Sequence, residues 1–178
     1  ELLQRIAGIM QERFNNATEA ISSYQAILKL EPEHRGAIAL LKELYEGRRQ
    51  WEQYVEISQH ELRLSGGDAA QDEAYVALAK LASERIRKPQ VPIQLWERVR
   101  QDNPGHPDAL EALEPLYERE KSFEKLAEVL EKRVETTEED STRVAILEKL
   151  GLVYTSRLMD ADAATRVWRK VLEVDSKH

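Results

Sequence analysis

Cysteine is absent from the 178 residues, and with it go disulfide frameworks, thiolate nucleophiles and zinc sites built on thiolates. Glycine and proline are scarce, at seven and six, while Ala, Leu, Glu, Lys, Arg and Gln, the strong helix formers, dominate. No stretch approaches the roughly 18 consecutive apolar residues of a membrane-spanning helix, so membrane insertion is not expected. Cationic surplus is also missing. The net charge of −7 and a pI near 5.3 argue against affinity built on neutralising phosphates, so nucleic acid is not an expected partner. None of GxSxG, HExxH, a Walker loop or a Rossmann fingerprint occurs. The chain opens on Glu1 inside a helical pattern without an initiator Met or a signal segment, and is read as a piece of a longer protein. The lack of cysteine names no compartment, a cytoplasmic one being slightly favoured. What is present is 42% hydrophobic and 33% charged residues, enough for a real core beneath a heavily charged exterior.

Self-similarity decides the organisation. His34, His106 and His178 recur every 72 residues, within EPEH, NPGH and DSKH. The same offset relates Tyr24 to Trp96 and Trp168, Arg13 to Arg85 and Arg157, Ile6 to Leu78 and Leu150, and Ala7 to Ala79 and Gly151. It also relates Leu44 to Leu116, Tyr45 to Tyr117 and Trp51 to Phe123. The chain is therefore about two and a half copies of one 72-residue unit. Each unit divides into two halves, and each half carries two apolar stripes at helical spacing separated by a polar break. In the first half Leu3, Ile6, Ala7, Met10 and Phe14 form one stripe, and Ala20, Ile21, Tyr24, Ile27 and Leu28 the next. The spacing predicts helices at 2–14, 17–30, 35–47, 51–64, 69–87, 91–102, 107–119, 123–136, 140–158 and 162–175, and no strand.

AISSYQAILKLEP, with its Ala, aromatic and Pro, resembles the second helix of a tetratricopeptide repeat, and LGLVY in the last hairpin resembles the first. Leu150, Gly151, Tyr154, Ala164 and Trp168 follow that family's pattern in order, with Pro32 and Pro104 at the closing position of earlier copies. Ser176 stands there in the last copy. In the even-numbered hairpins Leu40 and Leu41, or Ala112 and Leu113, replace the Leu-Gly pair, and the odd-numbered ones carry one extra residue between helices, as in NNAT and MDAD. The resemblance implies an all-α fold, a right-handed α-solenoid of about five TPR-like hairpins of bacterial type. Their approximate bounds are 1–33, 34–67, 68–105, 106–138 and 139–178, forming a single array over 1–178.

A hairpin of this size cannot bury enough apolar surface alone, so neighbours must stack. Small residues at Ala7, Ala20, Ala79, Gly151 and Ala164 allow close helix approach, and Tyr24, Trp96 and Trp168 fill the space between layers. Pro92, Pro107 and Asp160 stand where helices begin. Pro115 falls inside the predicted 107–119 helix, where a kink is expected.

The in-phase histidines are the nearest thing to a metal motif. Packed helices are separated by roughly 8 to 10 Å and zinc–nitrogen bonds are roughly 2 Å, so equivalent histidines two hairpins apart cannot share an ion. They are placed at hairpin starts, and neither metal nor cofactor is expected. Glu135, Glu138, Glu139 and Asp140 form a solvated loop. The resemblance places the function on first helices, which in the family line a concave groove. On that face lie Gln4, Gly8 and Gln11; Ile38, Lys42 and Tyr45; Val76, Lys80 and Ser83; Leu110, Glu114 and Tyr117; and Glu148, Leu152 and Thr155. Partner contacts are expected from Gln4, Gln11, Ile38, Lys42, Tyr45, Val76, Lys80, Leu110, Glu114 and Tyr117, although each can instead pack on a neighbouring hairpin. Arg13, Arg85 and Arg157 end first helices, where cations complement the dipole. The paired Lys and Asn of the carboxylate-gripping chaperone clamp are missing.

The resulting expectation is a non-catalytic scaffold or adaptor that binds a protein, as a peptide or helix, in the groove. The alternatives are an RNA-binding helical-repeat protein of the HAT or pentatricopeptide kind, whose groove should be basic, or a regulatory appendage of a larger enzyme. Val167, Trp168, Val171, Leu172 and Val174 crowd the last predicted helix, so self-association through this end, or docking onto a continuation of the chain, is also expected.

Overall fold

The computed structural model describes residues 17–66 and 69–176. The first predicted helix, with Gln4, Gln11 and Arg13, lies outside them, as does His178. The described helices are α1 (Ala17–Leu30), α2 (Arg35–Gly47), α3 (Trp51–Ser65), α4 (Ala69–Arg85), α5 (Gln90–Asp102), α6 (Pro107–Glu120), α7 (Phe123–Thr136), α8 (Asp140–Val153) and α9 (Ala161–Val174). No strand occurs among the described residues. The chain forms two compact units, residues 1–87 with α1 to α4 and residues 88–178 with α5 to α9. Within each unit every helix packs against the next along the chain, the arrangement that short inter-helix connections impose.

In the first unit Ala20, Tyr24 and Ile27 of α1 meet Ala37, Ile38, Leu41 and Tyr45 of α2 and Ile57 of α3 in one buried cluster. In the second, Leu95 and Trp96 of α5, Leu110 and Leu113 of α6, Leu126 and Leu130 of α7 and Leu147 of α8 are almost wholly buried. The spacing of three and four that predicted these helices is the spacing of their buried faces. Trp168, in phase with Tyr24 and Trp96, is only half-buried.

The helix ends follow from local chemistry. His34 precedes α2, and its Nδ1 accepts the Ala37 N–H at 3.0 Å. Pro107 opens α6, where its missing N–H removes no bond the helix would make. Asp160 caps α9 by accepting the Ala163 N–H at 2.9 Å. The turns after α2 and α6 are equivalent. Arg49 and Lys121 adopt left-handed backbone, at φ 55° and 57°, while the N–H groups of Gln50 and Ser122 donate to the carbonyls of Tyr45 and Tyr117. α6 continues through Pro115, which stands exposed. The last long predicted helix, 140–158, ends differently from the others: after Val153 the chain runs through a π turn, Tyr154–Leu158, to left-handed Met159. That wider turn leads directly into MDAD, where the extra residue of the odd-numbered hairpins falls.

Gly151 explains the Leu-Gly pair. A methyl group there would stand 2.6 Å from the Trp168 indole, well inside contact distance, so α8 and α9 approach as they do only because the side chain is absent.

Candidate functional site

The 72-residue offset reappears as chemistry. In the first unit Lys42 of α2 binds Glu61 of α3 at 2.5 Å. In the second, the corresponding Glu114 and Arg133 form the same bridge with the charges reversed, and Glu114 takes a second cation, Lys149 of α8, at 2.7 Å. Lys149 corresponds to Ala77. Glu114 is only 14% exposed, so a carboxylate there needs its cations. Burial works to lower the Lys149 pKa, but the hydrogen bonds and charges of Glu114 and Glu118 outweigh it and hold the ammonium above its usual value.

The tyrosines repeat the theme. Tyr45 is 5% and Tyr117 2% exposed, and each hydroxyl meets the preceding helix. Tyr45 accepts from Gln25 Nε2 at 2.9 Å, whereas Tyr117 donates to Glu97 Oε1 at 2.6 Å. Lys125 binds that same Glu97 oxygen at 2.7 Å. Gln25 corresponds to Glu97 and Gln53 to Lys125, so a neutral set in one unit is a charged set in the other. Burial raises the Tyr45 pKa, and burial together with Glu97 raises that of Tyr117 further. Partial burial pushes the Glu97 pKa upward, but hydrogen bonds from Lys125 and Tyr117 prevail and leave it below the usual carboxylate value.

A stability test follows from that sign. A carboxyl whose folded pKa is depressed contributes stability above its unfolded pKa and loses it as pH falls through the folded one. Glu97 is about one-third exposed, so Glu97→Gln is expected to cost only about 1 kcal/mol at neutral pH. The gap to the wild type should close as pH falls from about 5 to below 4. Denaturant midpoints of both proteins at each pH measure this, and a gap independent of pH would refute it.

The arginines at first-helix ends are occupied by packing. Arg85 lies over the Trp51 ring at 5.6 Å and Arg157 over Phe123 at 5.2 Å, equivalent cation–π pairs in the two units. His106 starts α6 as His34 starts α2, and His60 Nε2 lies 2.6 Å from the Pro32 carbonyl, tying α3 to the loop before α2. Among the described residues no three His, Asp or Glu side chains gather as metal ligands would. Of the acidic run, Glu135 lies not in the loop but in the last turn of α7, where it receives Lys132, and Glu139 receives Ser141 and Thr142.

The row drawn on first-helix faces therefore divides. Ile38 and Leu110, each 1% exposed, lie in the cores with Tyr45 and Tyr117. Lys42 and Glu114 are partly buried and ion-paired, Val76 is half-buried and Lys80 is exposed. Beside them run two clefts, one in each unit. The first, of about 280 Å³, is lined by Lys42, Tyr54, Glu61, Leu62, Ala77 and Leu81, among others. The second, of about 550 Å³, is lined by Glu118, Phe123, Leu126, Lys149, Leu152 and Arg157, among others. Leu152 is 57% exposed. On the last helix Val167 and Val171 are buried, and Leu172, at 52%, is the largest open apolar group. A charge placed at Val171 would enter the core.

Helices packed in chain order within each unit, a glycine under an indole, and first helices flanking clefts give an all-α fold of the kind that tetratricopeptide-like repeats have. No family model matches the chain, and no curated protein matches it. Among solved structures it is similar to the crystal structure of MamA, with 22% identity over 94% of this chain and 93% of that one and a TM-score of 0.48. It is also similar to YrrB, described as a TPR protein with an unusual peptide-binding site, with 13% identity over 99% and 86% and a TM-score of 0.46. BtubC (BKLC) from P. vanneervenii shares 16% identity over 100% and 75%, with a TM-score of 0.42.

Proposed function

We propose that this chain is a non-catalytic scaffold that holds other proteins against the first-helix faces of its hairpins. The observation that carries this reading is Leu152, more than half exposed on α8 in a cleft beside Phe123 and Leu126. A leucine held open on a helix, with an apolar floor and a rim of Lys149, Arg157 and Glu118, suits the insertion of a partner's apolar side chain. In the first unit Lys42, Val76 and Lys80 border the corresponding ground, while Ile38, Tyr45, Leu110 and Tyr117 set the position of their helices. Lys42 and Lys149 are already paired with carboxylates, so phosphate groups would have to displace internal partners, which favours protein over RNA. Self-association through α9 would rest on Leu172 rather than on the buried valines.

Leu152→Glu tests the reading, because the position is open enough to accept the change without loss of fold. Proteins retained by the immobilised wild-type chain should be retained at least about tenfold less by the variant, as for a contact at the centre of an interface. Equal retention by a variant with unchanged helicity would place the partner elsewhere.

A further inference from the structure

A third cleft, of about 290 Å³, opens in the first unit on the side where α1 and α3 flank α2. Its floor is Leu28, Leu41 and Ile57, with the edge of Tyr45. Its polar lining is the amides of Gln25 and Gln53, the cations Lys29 and Arg63, and His60 and Glu56. In the second unit the same positions lock one another: Glu97 holds both Tyr117 and Lys125. In the first unit they are neutral amides, exposed at the cleft. The charge differs as well. Lys29 and Arg63 correspond to Gln101 and Glu135, so the cleft is rimmed by two cations against Glu56 alone, where these two positions of the second unit carry no cation.

We propose that this cleft is a docking site for an acidic peptide segment of another protein, anchored by one aliphatic side chain. The apolar floor takes the anchor, and the volume admits one or two side chains. Lys29 and Arg63 receive flanking carboxylates, and Gln25 and Gln53 hydrogen-bond the peptide backbone, which amides do with either donor or acceptor. In the second unit Glu97 and Lys125, at the positions of Gln25 and Gln53, bind each other instead and are not open to a peptide backbone. The site is separate from the Leu152 cleft, so either proposal can fail while the other stands.

The probe is the fluorescein-labelled peptide Gly-Glu-Glu-Leu-Glu-Glu-Gly, titrated with the whole chain and read by fluorescence anisotropy. Two control peptides carry Lys for every Glu, or Ala for Leu. The acidic leucine probe should bind, and both controls should bind at least about tenfold more weakly. Lys29→Glu with Arg63→Glu should weaken the probe by a similar factor. Gln25→Glu with Gln53→Lys, which copies the lock of the second unit, should abolish binding, while Leu152→Glu leaves it unchanged. In the wild type, the side-chain amide signals of Gln25 and Gln53 should shift in NMR spectra as the probe is added, a readout independent of any variant's folding. No binding of the acidic probe up to millimolar concentration, equal binding of the lysine probe, undiminished binding by the Gln25→Glu and Gln53→Lys variant, or unmoved amide signals in the presence of bound probe would each overturn the proposal.

Discussion

Replacing Glu114 by lysine is expected to destabilise the second unit by about 3 kcal/mol, because it sets three cations together where a mostly buried carboxylate had neutralised two. The first unit supplies the repair. Glu114→Lys with Arg133→Glu restores the bridge in the polarity of Lys42 and Glu61, but leaves Lys149 facing a lysine. Adding Lys149→Ala reproduces Ala77 and should return stability to within about 1 kcal/mol of the wild type, the loss of a second cation being compensated by the loss of its repulsion. Guanidinium unfolding of the single, double and triple variants measures the coupling. A single substitution that shifts stability by less than about 0.5 kcal/mol would show that solvent screens the cluster.

Tyr117→Ala is expected to cost about 3–5 kcal/mol, the loss that follows when a large buried aromatic is truncated and its cavity stays open. Tyr117→Phe should cost only about 1–2 kcal/mol, for the hydrogen bond to Glu97 alone. Thermal unfolding followed by circular dichroism separates the two. A Tyr117→Ala protein as stable as the wild type would mean that the ring is free to leave the core. The phenylalanine variant is therefore the one with which to ask whether the hydroxyl affects binding, since the alanine variant confounds contact with folding.

Helix positions were legible in the sequence because apolar spacing and burial have the same cause. The predicted bounds of α1, α2 and α7 coincide with the observed ones. His34 and Asp160 were legible as starts because capping needs only a side chain near its own backbone. The direction of Tyr45 and Tyr117 was not. Stepping by three and four finds the face a residue shares, but α2 and α6 each have neighbours on two sides, and only packing decides which side a tyrosine fills. The helix-end positions of Arg85 and Arg157 make them dipole partners in the sequence, but their stacking on Trp51 and Phe123 arises between helices, where spacing along one helix carries no signal. The reversed bridge was available in Lys42, Glu61, Glu114 and Arg133, but a search for similarity passes over positions where one copy inverts the other.

That inversion also bears on how the chain finds its fold. Two near-copies of a hairpin in one polypeptide invite exchange, in which a helix of one copy docks on the partner meant for the other. Here such an exchange would bring Lys42 against Arg133 and Glu114 against Glu61, like charges at contacts that in the native pairing carry opposite ones. The apolar faces of the two copies are nearly interchangeable; the polar seam beside them is not. One charged pair per copy thus distinguishes two otherwise similar cores, and a chain given the same polarity in both would keep its cores while losing that distinction.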